Sequence, residues 1–205
     1  MKVAVVGGTG SFGRAVAHRL VDAGVDVVIG SRDAARARET ATPLGAEGAA
    51  NEDAVRDADL VLLAVKAEAA VETARELRRA IGTTPVLSVA AELVFGPGGV
   101  RPTAEATSVA ERIQGELDAP VAAGLHSLAA SNLAAGPPDE DAFVCGDDAA
   151  AKELALALAT RLVSGRALDA GPLASARALE GTTAVIINLN KRYKAHAGLR
   201  VTGLE

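Results

Sequence analysis

The chain has 205 residues and a formal net charge of −5, with 21 Lys and Arg against 26 Asp and Glu. This acidic balance and an aromatic content of 2% give no electrostatic or stacking basis for a nucleic-acid or anionic-membrane partner. The single cysteine, Cys145, excludes an internal disulfide and does not make a metal site alone, and no signal-peptide pattern is present, so we expect a cytoplasmic, enzyme-sized protein without a metal.

Short apolar runs alternate with longer segments of helical spacing along most of the chain. Strands are predicted at residues 3–6, 25–29, 60–65, 86–89, 121–125, 142–145 and 167–168, with a weak candidate at 45–50. Helices are predicted at residues 11–23, 34–44, 67–81, 108–117, 149–163 and 173–195, and the glycines and prolines of 95–102 predict a loop. This alternation predicts an α/β fold with a doubly wound, mostly parallel sheet and a C-terminal extension ending in a long helix.

No repeat or interdomain linker interrupts the pattern. We therefore expect a single domain over residues 1–203, in which residues from about 120 to 203 form the substrate-binding portion. Leu204 and Glu205 resemble the remnant of an expression tag and carry no weight in the interpretation.

A glycine-rich loop, Gly8-x-Gly10-x-x-Gly13, directly follows the first predicted strand. Glycines at these positions permit a tight turn, a close approach of the backbone to a pyrophosphate and close packing of helix on strand. The helix that begins at Ser11 adds free N–H groups and the positive end of its dipole. A turn without a ligand is the alternative, but three glycines carry a cost in conformational entropy. The residues predicted to contact a dinucleotide, in a Rossmann-like unit, are Gly8, Thr9, Gly10, Ser11, Phe12 and Gly13.

The end of the second predicted strand indicates which dinucleotide binds. NAD-binding units place a carboxylate there for the ribose 2′-OH, whereas this chain has Ser31 and Arg32. Ser31 offers a hydrogen-bond donor, Arg32 and Arg36 offer cations for a 2′-phosphate, and we therefore expect NADP(H). Asp33 is the alternative ribose ligand, although it also has the right position to begin the next helix.

His126 follows the strand predicted at residues 121–125, at the edge where a dinucleotide crosses such a sheet. Two interpretations stay open: a catalytic residue that donates a hydrogen bond to a substrate carbonyl or acts as an acid, or a loop histidine that caps a strand end. Tyr193 and Lys194 are adjacent and so lack the Tyr-x-x-x-Lys spacing of short-chain dehydrogenases. The sparse acid–base machinery favours direct hydride transfer between two stacked rings, in which positioning is most of the catalysis.

Six segments together resemble the NADPH-dependent reductases of coenzyme F420, a 5-deazaflavin. They are residues 7–13 (GGTGSFG), 30–32 (GSR), 124–126 (GLH), 144–148 (VCGDD), 168–173 (LDAGPL) and 190–200 (NKRYKAHAGLR). The resemblance implies a homodimer that passes a hydride between NADP(H) and F420 as co-substrate, with no metal.

The resemblance also implies which residues contact the two coenzymes. The nucleotide contacts fall on residues 9–12, Ser31, Arg32 and Arg36, and those nearer the nicotinamide fall around Ala67, Val71, Leu93 and Ala130. The deazaflavin pocket includes His126, Ala197 and Gly198, within the 120–203 portion.

The chain departs from the family at two places where the rings are expected to stack. Lys66-Ala67 stands where the family usually reads Pro-Trp, and residues 90–92 (AAE) replace an apolar segment that contains a proline. A bulky aromatic wall is thus missing, and Lys66 and Glu92 add two charges. Two alternatives stay open: an NADP-dependent reductase of another small substrate in a reshaped pocket, and a non-catalytic NADP(H)-binding sensor.

The C-terminal basic cluster consists of Lys191, Arg192, Lys194 and Arg200. It is suited either to attract the phosphate and oligoglutamyl tail of the deazaflavin or, as solvated cations, to complement the dipole of the last helix. Asn188 and Asn190 of that helix are interpreted either as polar contacts at a dimer seam or as surface residues.

Overall fold

The sheet and helices are those of a computed structural model that describes residues 1–204; Glu205, the second residue of the predicted tag remnant, lies outside them. The strands are β1 (Lys2–Val6), β2 (Asp26–Ser31), β3 (Glu47–Ala50), β4 (Leu60–Leu63), β5 (Val86–Ser88), β6 (Leu93–Gly96), β7 (Gly99–Pro102), β8 (Val121–Gly124), β9 (Ala142–Gly146) and β10 (Ala167–Asp169). The α-helices are α1 (Ser11–Asp22), α2 (Ala34–Ala41), α3 (Asn51–Val55), α4 (Ala67–Ile81), α5 (Val109–Gln114), α6 (Ala130–Ala135), α7 (Ala149–Leu162) and α8 (Ala176–Tyr193). Single 3-10 turns at Thr42–Leu44 and Leu173–Ser175 follow α2 and precede α8.

Eight of the described strands form one sheet in the order β10-β9-β8-β5-β4-β1-β2-β3. Every neighbouring pair is parallel except β8 and β9, which are antiparallel. At the centre, Val5 of β1 pairs with Ile29 of β2 and with Leu62 of β4. The order reverses at β1, so the carboxyl ends of β1 and β4 open a crevice beside the glycine-rich loop. The predicted Rossmann-like, mostly parallel sheet is confirmed.

Helices cover both faces of the sheet, because the central strands are apolar on both sides. On one face, Val3 and Val5 lie in a core with buried residues of α1 and α7. On the other face, Ala4 and Val6 lie in a second core that includes residues of α4 and α5. No helix within residues 1–204 combines the length and apolar character needed to cross a bilayer.

Three local predictions from the sequence were wrong or incomplete. Residues 93–102, predicted to include a loop from residue 95, form the antiparallel hairpin β6–β7, in which Phe95 pairs with Val100. The short helices α3 and α6 were not predicted, and the connection from β8 to β9 reverses the strand direction. The last helix is shorter than the predicted 173–195, since its α-helical part begins at Ala176 and ends at Tyr193.

The segment after α8 packs along β9. The Asp141 N–H donates to the Leu199 carbonyl at 2.7 Å, and the Val201 N–H donates to Asp141 Oδ2 at 2.8 Å. Arg166 binds the same carboxylate and also donates to the Val201 carbonyl. Asp141, which is fully buried, therefore fixes the C-terminal segment to the sheet.

Candidate active site

The glycine-rich loop makes a tight turn between β1 and α1. The Gly8 N–H donates to the Val5 carbonyl at 3.1 Å, and the Gly10 N–H donates to the Gly7 carbonyl at 3.0 Å. A Cβ on Gly13 would lie 2.6 Å from the Gly7 oxygen, whereas one on exposed Gly10 would meet only that same oxygen, at 3.3 Å. Packing of helix on loop therefore requires glycine at position 13, while glycine at position 10 leaves an open backbone surface.

The N-terminus of α1 is available to an anion. Its N-cap is Gly10, which has no side chain to cap the helix, and its first turn contains no acidic residue. The first-turn amides consequently receive no side-chain cap, and they lie at the positive end of a 12-residue helix. A phosphate group satisfies both features.

The tip of β2 presents two cations. Asp33 is the N-cap of α2, since its Oδ1 accepts from the N–H groups of Ala35 at 2.9 Å and Arg36 at 3.2 Å. These two hydrogen bonds confirm that Asp33 begins the helix. They also occupy the carboxylate that was the alternative ligand for the ribose. Ser31 Oγ accepts from the Asp33 N–H at 3.2 Å, and its hydroxyl hydrogen stays available. Arg32 and Arg36 are exposed and form no ion pair within residues 1–204.

These residues line one cavity of about 560 Å³, which we call the nucleotide cavity. Its lining comprises Gly7, Thr9, Gly10, Ser31, Arg32, Asp33, Arg36, Asn51, Ala64, Val65, Lys66, Glu68, Ala69 and Thr73. The structure thus brings together Thr9 and Gly10 of the loop with Ser31 at the end of β2 and with Arg32 and Arg36 after it, as the sequence predicted.

Asn51 is a lining residue that the sequence analysis missed. It begins α3 directly after β3, and its buried Oδ1 has no hydrogen-bond partner within the described part of the chain. Its position directly after a parallel strand could have identified it as a site residue. The pattern of residues 45–50 predicts a strand only weakly, however, so that position was not recognised.

A second cavity of about 470 Å³, which we call the outer cavity, adjoins the first. It is lined by Lys66, Ala67, Glu68, Ala91, Glu92, Leu93 and Phe95. Lys66 and Glu68 line both cavities, so the two are neighbours. The outer cavity holds two of the residues predicted near the nicotinamide, Ala67 and Leu93.

The other predicted residues of this region line neither of these two cavities. Val71 packs against the core beneath α4, and Ala130, the first residue of α6, packs against the core beneath α1. Phe12 packs against that same core, while Gly8 and Gly13 are buried in the turn and Ser11 is exposed at the start of α1.

The two charges introduced by the departures from the family are paired. Glu92 Oε2 accepts from Arg112 at 2.8 Å and from the Thr103 hydroxyl at 3.1 Å. The Lys66 side chain is 85% exposed, and its Nζ lies 3.9 Å from Glu68 Oε1. Neither charge is therefore a bare ion inside the outer cavity.

His126 follows β8 but is buried, with 5% of its surface exposed. Nε2 lies 3.1 Å from the Ala90 carbonyl and must donate to it, while Nδ1 has no partner within residues 1–204. Burial lowers the pKa of the imidazole to about 4, and the Ala90 bond opposes this only in part, so the ring is neutral at pH 7. The geometry favours the strand-end interpretation, and a role toward a substrate stays a prediction.

Gly198 lies in a third cavity, of about 400 Å³, which we call the C-terminal cavity. It is lined by Ser131, Asn132, Ala135, Pro138, Asp139, Glu140, His196 and Gly198 and shares no residue with the other two. Ala197, the neighbour of Gly198, donates its N–H to Asn190 Oδ1 at 2.6 Å. Asn188 forms two hydrogen bonds with the backbone of Val100. Both asparagines therefore have partners within the chain, and a role at a dimer seam stays a prediction.

The C-terminal basic cluster is exposed at the end of α8. Arg200 pairs with Asp139 at 3.1 Å, while Lys191, Arg192 and Lys194 form no ion pair among the described residues. Three cations thus remain available next to the C-terminal cavity residue His196.

The arrangement is suited to binding and positioning rather than to acid–base chemistry. The nucleotide and outer cavities offer cations, open backbone and apolar walls, but no histidine, cysteine or tyrosine among the described residues that line them. A negatively charged dinucleotide matches the first cavity, and an uncharged ring matches the second.

Comparison with known proteins agrees with this geometry. A family model described as NADP oxidoreductase, coenzyme F420-dependent, matches residues 2–92, which contain the glycine-rich loop and the Ser31-Arg32 tip. The F420-dependent NADP reductase of Methanothermobacter thermautotrophicus is 35% identical over 222 residues, covering 100% of this chain and 96% of the relative. The F420-dependent NADP reductase of Methanocaldococcus jannaschii is 33% identical, covering 100% of both.

Solved structures give the same result. A putative F420-dependent NADP reductase from Arthrobacter sp. FB24 superposes with a TM-score of 0.83 at 28% identity, covering 99% of this chain and 100% of that one. A pyrroline-5-carboxylate reductase from Coxiella burnetii, at 15% identity and a TM-score of 0.68, covers 94% of this chain and 65% of that one and shares the fold alone. The resemblance seen in the sequence motifs is confirmed, and the chain belongs to the family of F420-dependent NADP reductases.

Proposed function

We propose that this chain transfers a hydride between NADP(H) and coenzyme F420. The observation that carries the proposal is identity of 33–35% over the whole chain with enzymes named for that activity. The cavity beside the glycine-rich loop supports it independently, because it presents the groups that a phosphorylated dinucleotide requires.

The residues present fit NADP(H) at the nucleotide cavity. The open backbone at Gly10 and the uncapped start of α1 suit the pyrophosphate. The Ser31 hydroxyl and the unpaired guanidinium groups of Arg32 and Arg36 suit the 2′-phosphate. Asn51, with its unpartnered amide oxygen, is an additional candidate for the adenosine portion.

The outer cavity is assigned to the nicotinamide because it adjoins the nucleotide cavity at the carboxyl ends of β4 and β5. When bound, the nicotinamide supplies or accepts the hydride and the deazaflavin is its counterpart. The chain contributes positioning, because Ala67 and Leu93 would lie against the ring.

The deazaflavin site is assigned to the 120–203 portion, with Ala197 and Gly198 as contacts. The C-terminal segment that carries them is fixed by Asn190 and by Asp141, so its backbone is held in place before a ligand binds. His126 joins this portion to the segment that follows β5, because its ring donates to the Ala90 carbonyl and its own carbonyl accepts from the Thr183 hydroxyl of α8 at 2.8 Å. We assign His126 a positioning role, since a neutral, buried ring is a poor acid at pH 7.

We also propose that the enzyme is a homodimer, as the family resemblance implies. Size-exclusion chromatography with light scattering tests this directly, since a mass near 20.6 kDa would indicate a monomer and contradict the proposal.

The experiment that tests the function mixes the protein with NADPH and oxidised F420 and follows loss of the deazaflavin's visible absorbance. Turnover with F420 and none with flavin mononucleotide is expected. Tight NADPH binding without turnover would contradict the proposal and favour a non-catalytic NADP(H)-binding sensor. The reshaped-pocket reductase has less support, because the Glu92 charge that motivated it is neutralised by Arg112.

A further inference from the structure

Phe95 is a large apolar side chain that the fold leaves uncovered. It is 65% exposed near the tip of the hairpin β6–β7, and it lines the outer cavity. Phe95 and Leu93 lie on the same face of β6, because side chains alternate along a strand, and both border the cavity. An exposed aromatic ring at the rim of a cavity is a candidate contact for a planar ligand.

The hairpin holds this ring in a defined position. Asn188 of α8 accepts from the Val100 N–H at 2.8 Å and donates to the Val100 carbonyl at 2.7 Å, and Val100 is the cross-strand partner of Phe95. At the open end, Glu92 binds Thr103 and Arg112. The hairpin is thus tied to α8 on one side and to α5 on the other, so the ring needs little ordering when a ligand binds.

The remaining aromatic residues have other surroundings. Phe12 and Phe143 pack against the two cores. Tyr193 is 69% exposed at the end of α8 and lines none of the three cavities described above. Phe95 is therefore the aromatic side chain that the described structure brings to the outer cavity.

We infer that Phe95 is a binding residue for the nicotinamide ring of NADP(H), lying against it in the outer cavity. The inference rests on the proposed binding of NADP(H), and its location follows from the adjacency of the two cavities, which share Lys66 and Glu68 as lining residues. A dinucleotide whose phosphates lie at α1 reaches the outer cavity with its nicotinamide end.

Two ligands separate this contact from binding of the nucleotide as a whole. NADPH carries the nicotinamide, whereas adenosine 2′,5′-bisphosphate carries the adenosine and 2′-phosphate without it. NADPH binding is followed by dihydronicotinamide fluorescence, which is free of tryptophan background because the chain contains no Trp. Binding of the bisphosphate is followed by calorimetry.

For Phe95→Leu, which keeps apolar bulk and removes the aromatic face, we expect the Kd of NADPH to rise about tenfold, equivalent to about 1.4 kcal/mol. The Kd of the bisphosphate should stay the same, and Phe95→Tyr should bind NADPH like the unaltered protein. Tyr193→Leu, the matched change at the other exposed aromatic residue, should alter neither ligand.

Four results would overturn the inference: an unchanged Kd for NADPH in Phe95→Leu, an equal loss for both ligands, a loss confined to the deazaflavin, or a changed oligomeric state. The last two would assign the ring to the second coenzyme or to another copy of the chain. Because the NADPH and bisphosphate measurements need no F420, failure of turnover with F420 would contradict the proposed function and leave the contact with NADPH standing.

Discussion

Replacement of Gly10 or Gly13 in the glycine-rich loop by alanine should have different consequences for stability and for ligand binding. A Cβ at position 13 would lie 2.6 Å from the Gly7 oxygen and 2.9 Å from the Gly8 Cα, and both are backbone atoms of a hydrogen-bonded turn. A Cβ at position 10 meets only the Gly7 oxygen, at 3.3 Å, and the Gly10 φ of −79° is accessible to alanine. Substitution of Gly13 should therefore lower the stability of the fold, and substitution of Gly10 should weaken binding of the ligand.

The magnitudes follow from these contacts. Overpacking costs about 3 kcal/mol at the upper end of its range, which suits a clash with fixed backbone, and alanine regains about 1 kcal/mol of helix propensity inside α1. The net loss for Gly13→Ala is about 2 kcal/mol, or a fall in Tm of roughly 4–8 °C for a chain of this size. Gly10→Ala should keep its Tm within about 2 °C while the Kd of NADPH rises at least about tenfold, since the methyl group occupies the path of the pyrophosphate.

Differential scanning fluorimetry measures the first quantity, and titration of NADPH fluorescence measures the second, with each variant serving as the control for the other. A Gly10→Ala variant that melts as early as Gly13→Ala, or that binds NADPH as tightly as the unaltered protein, would contradict these separate roles of the two glycines.

Three further changes test the cations and the C-terminal segment. Arg32→Ala should raise the KM for NADPH about tenfold and leave that for NADH unchanged, because the lost charge-assisted hydrogen bonds involve only the 2′-phosphate; equal effects on both would remove the basis for preferring NADP. Hydrogen bonds from the Arg166 guanidinium hold the pKa of Asp141 far below its usual range, so this carboxylate stabilises the fold above its unfolded pKa of about 4 and the stabilisation is lost as the pH falls below it. Asp141→Asn should therefore lower the Tm at pH 7 and make the Tm less dependent on pH between about 5 and 2. Asp118→Asn, which removes an exposed ion pair, should have neither effect. An unchanged dependence of the Tm on acid pH in Asp141→Asn would be evidence against the pairing of Asp141 with Arg166. If the C-terminal basic cluster binds the anionic tail, added salt should raise the KM for a long-tailed deazaflavin more than for a tail-less one, and an identical response would refute that role.

The sheet and the phosphate site were predictable because local signals determine them. The helix predicted at 67–81 is α4 with the same bounds, and Gly8, Gly10 and Gly13 follow β1 as predicted. The cation pair at Arg32 and Arg36 was also found from its position after β2.

Features that depend on distant residues were missed. The hairpin β6–β7 was interpreted as a loop because its glycines and proline are loop signals, and the side chain that anchors it, Asn188, lies 88 residues away from Val100. The two interpretations of His126 differ only in burial, which the sequence around it does not determine. The pairing of Glu92 with Arg112 likewise arises from packing of the hairpin on α5.

The proposed reaction is a direct hydride transfer between two coenzymes without an acid–base group of the protein in the hydride path. The most direct test is a single turnover in ordinary water with NADPH deuterated at the transferred position of the nicotinamide and with oxidised F420. Mass spectrometry of the reduced deazaflavin should show one deuterium per molecule. Reduced deazaflavin that carries solvent hydrogen instead, formed without exchange of label in control incubations, would contradict the account.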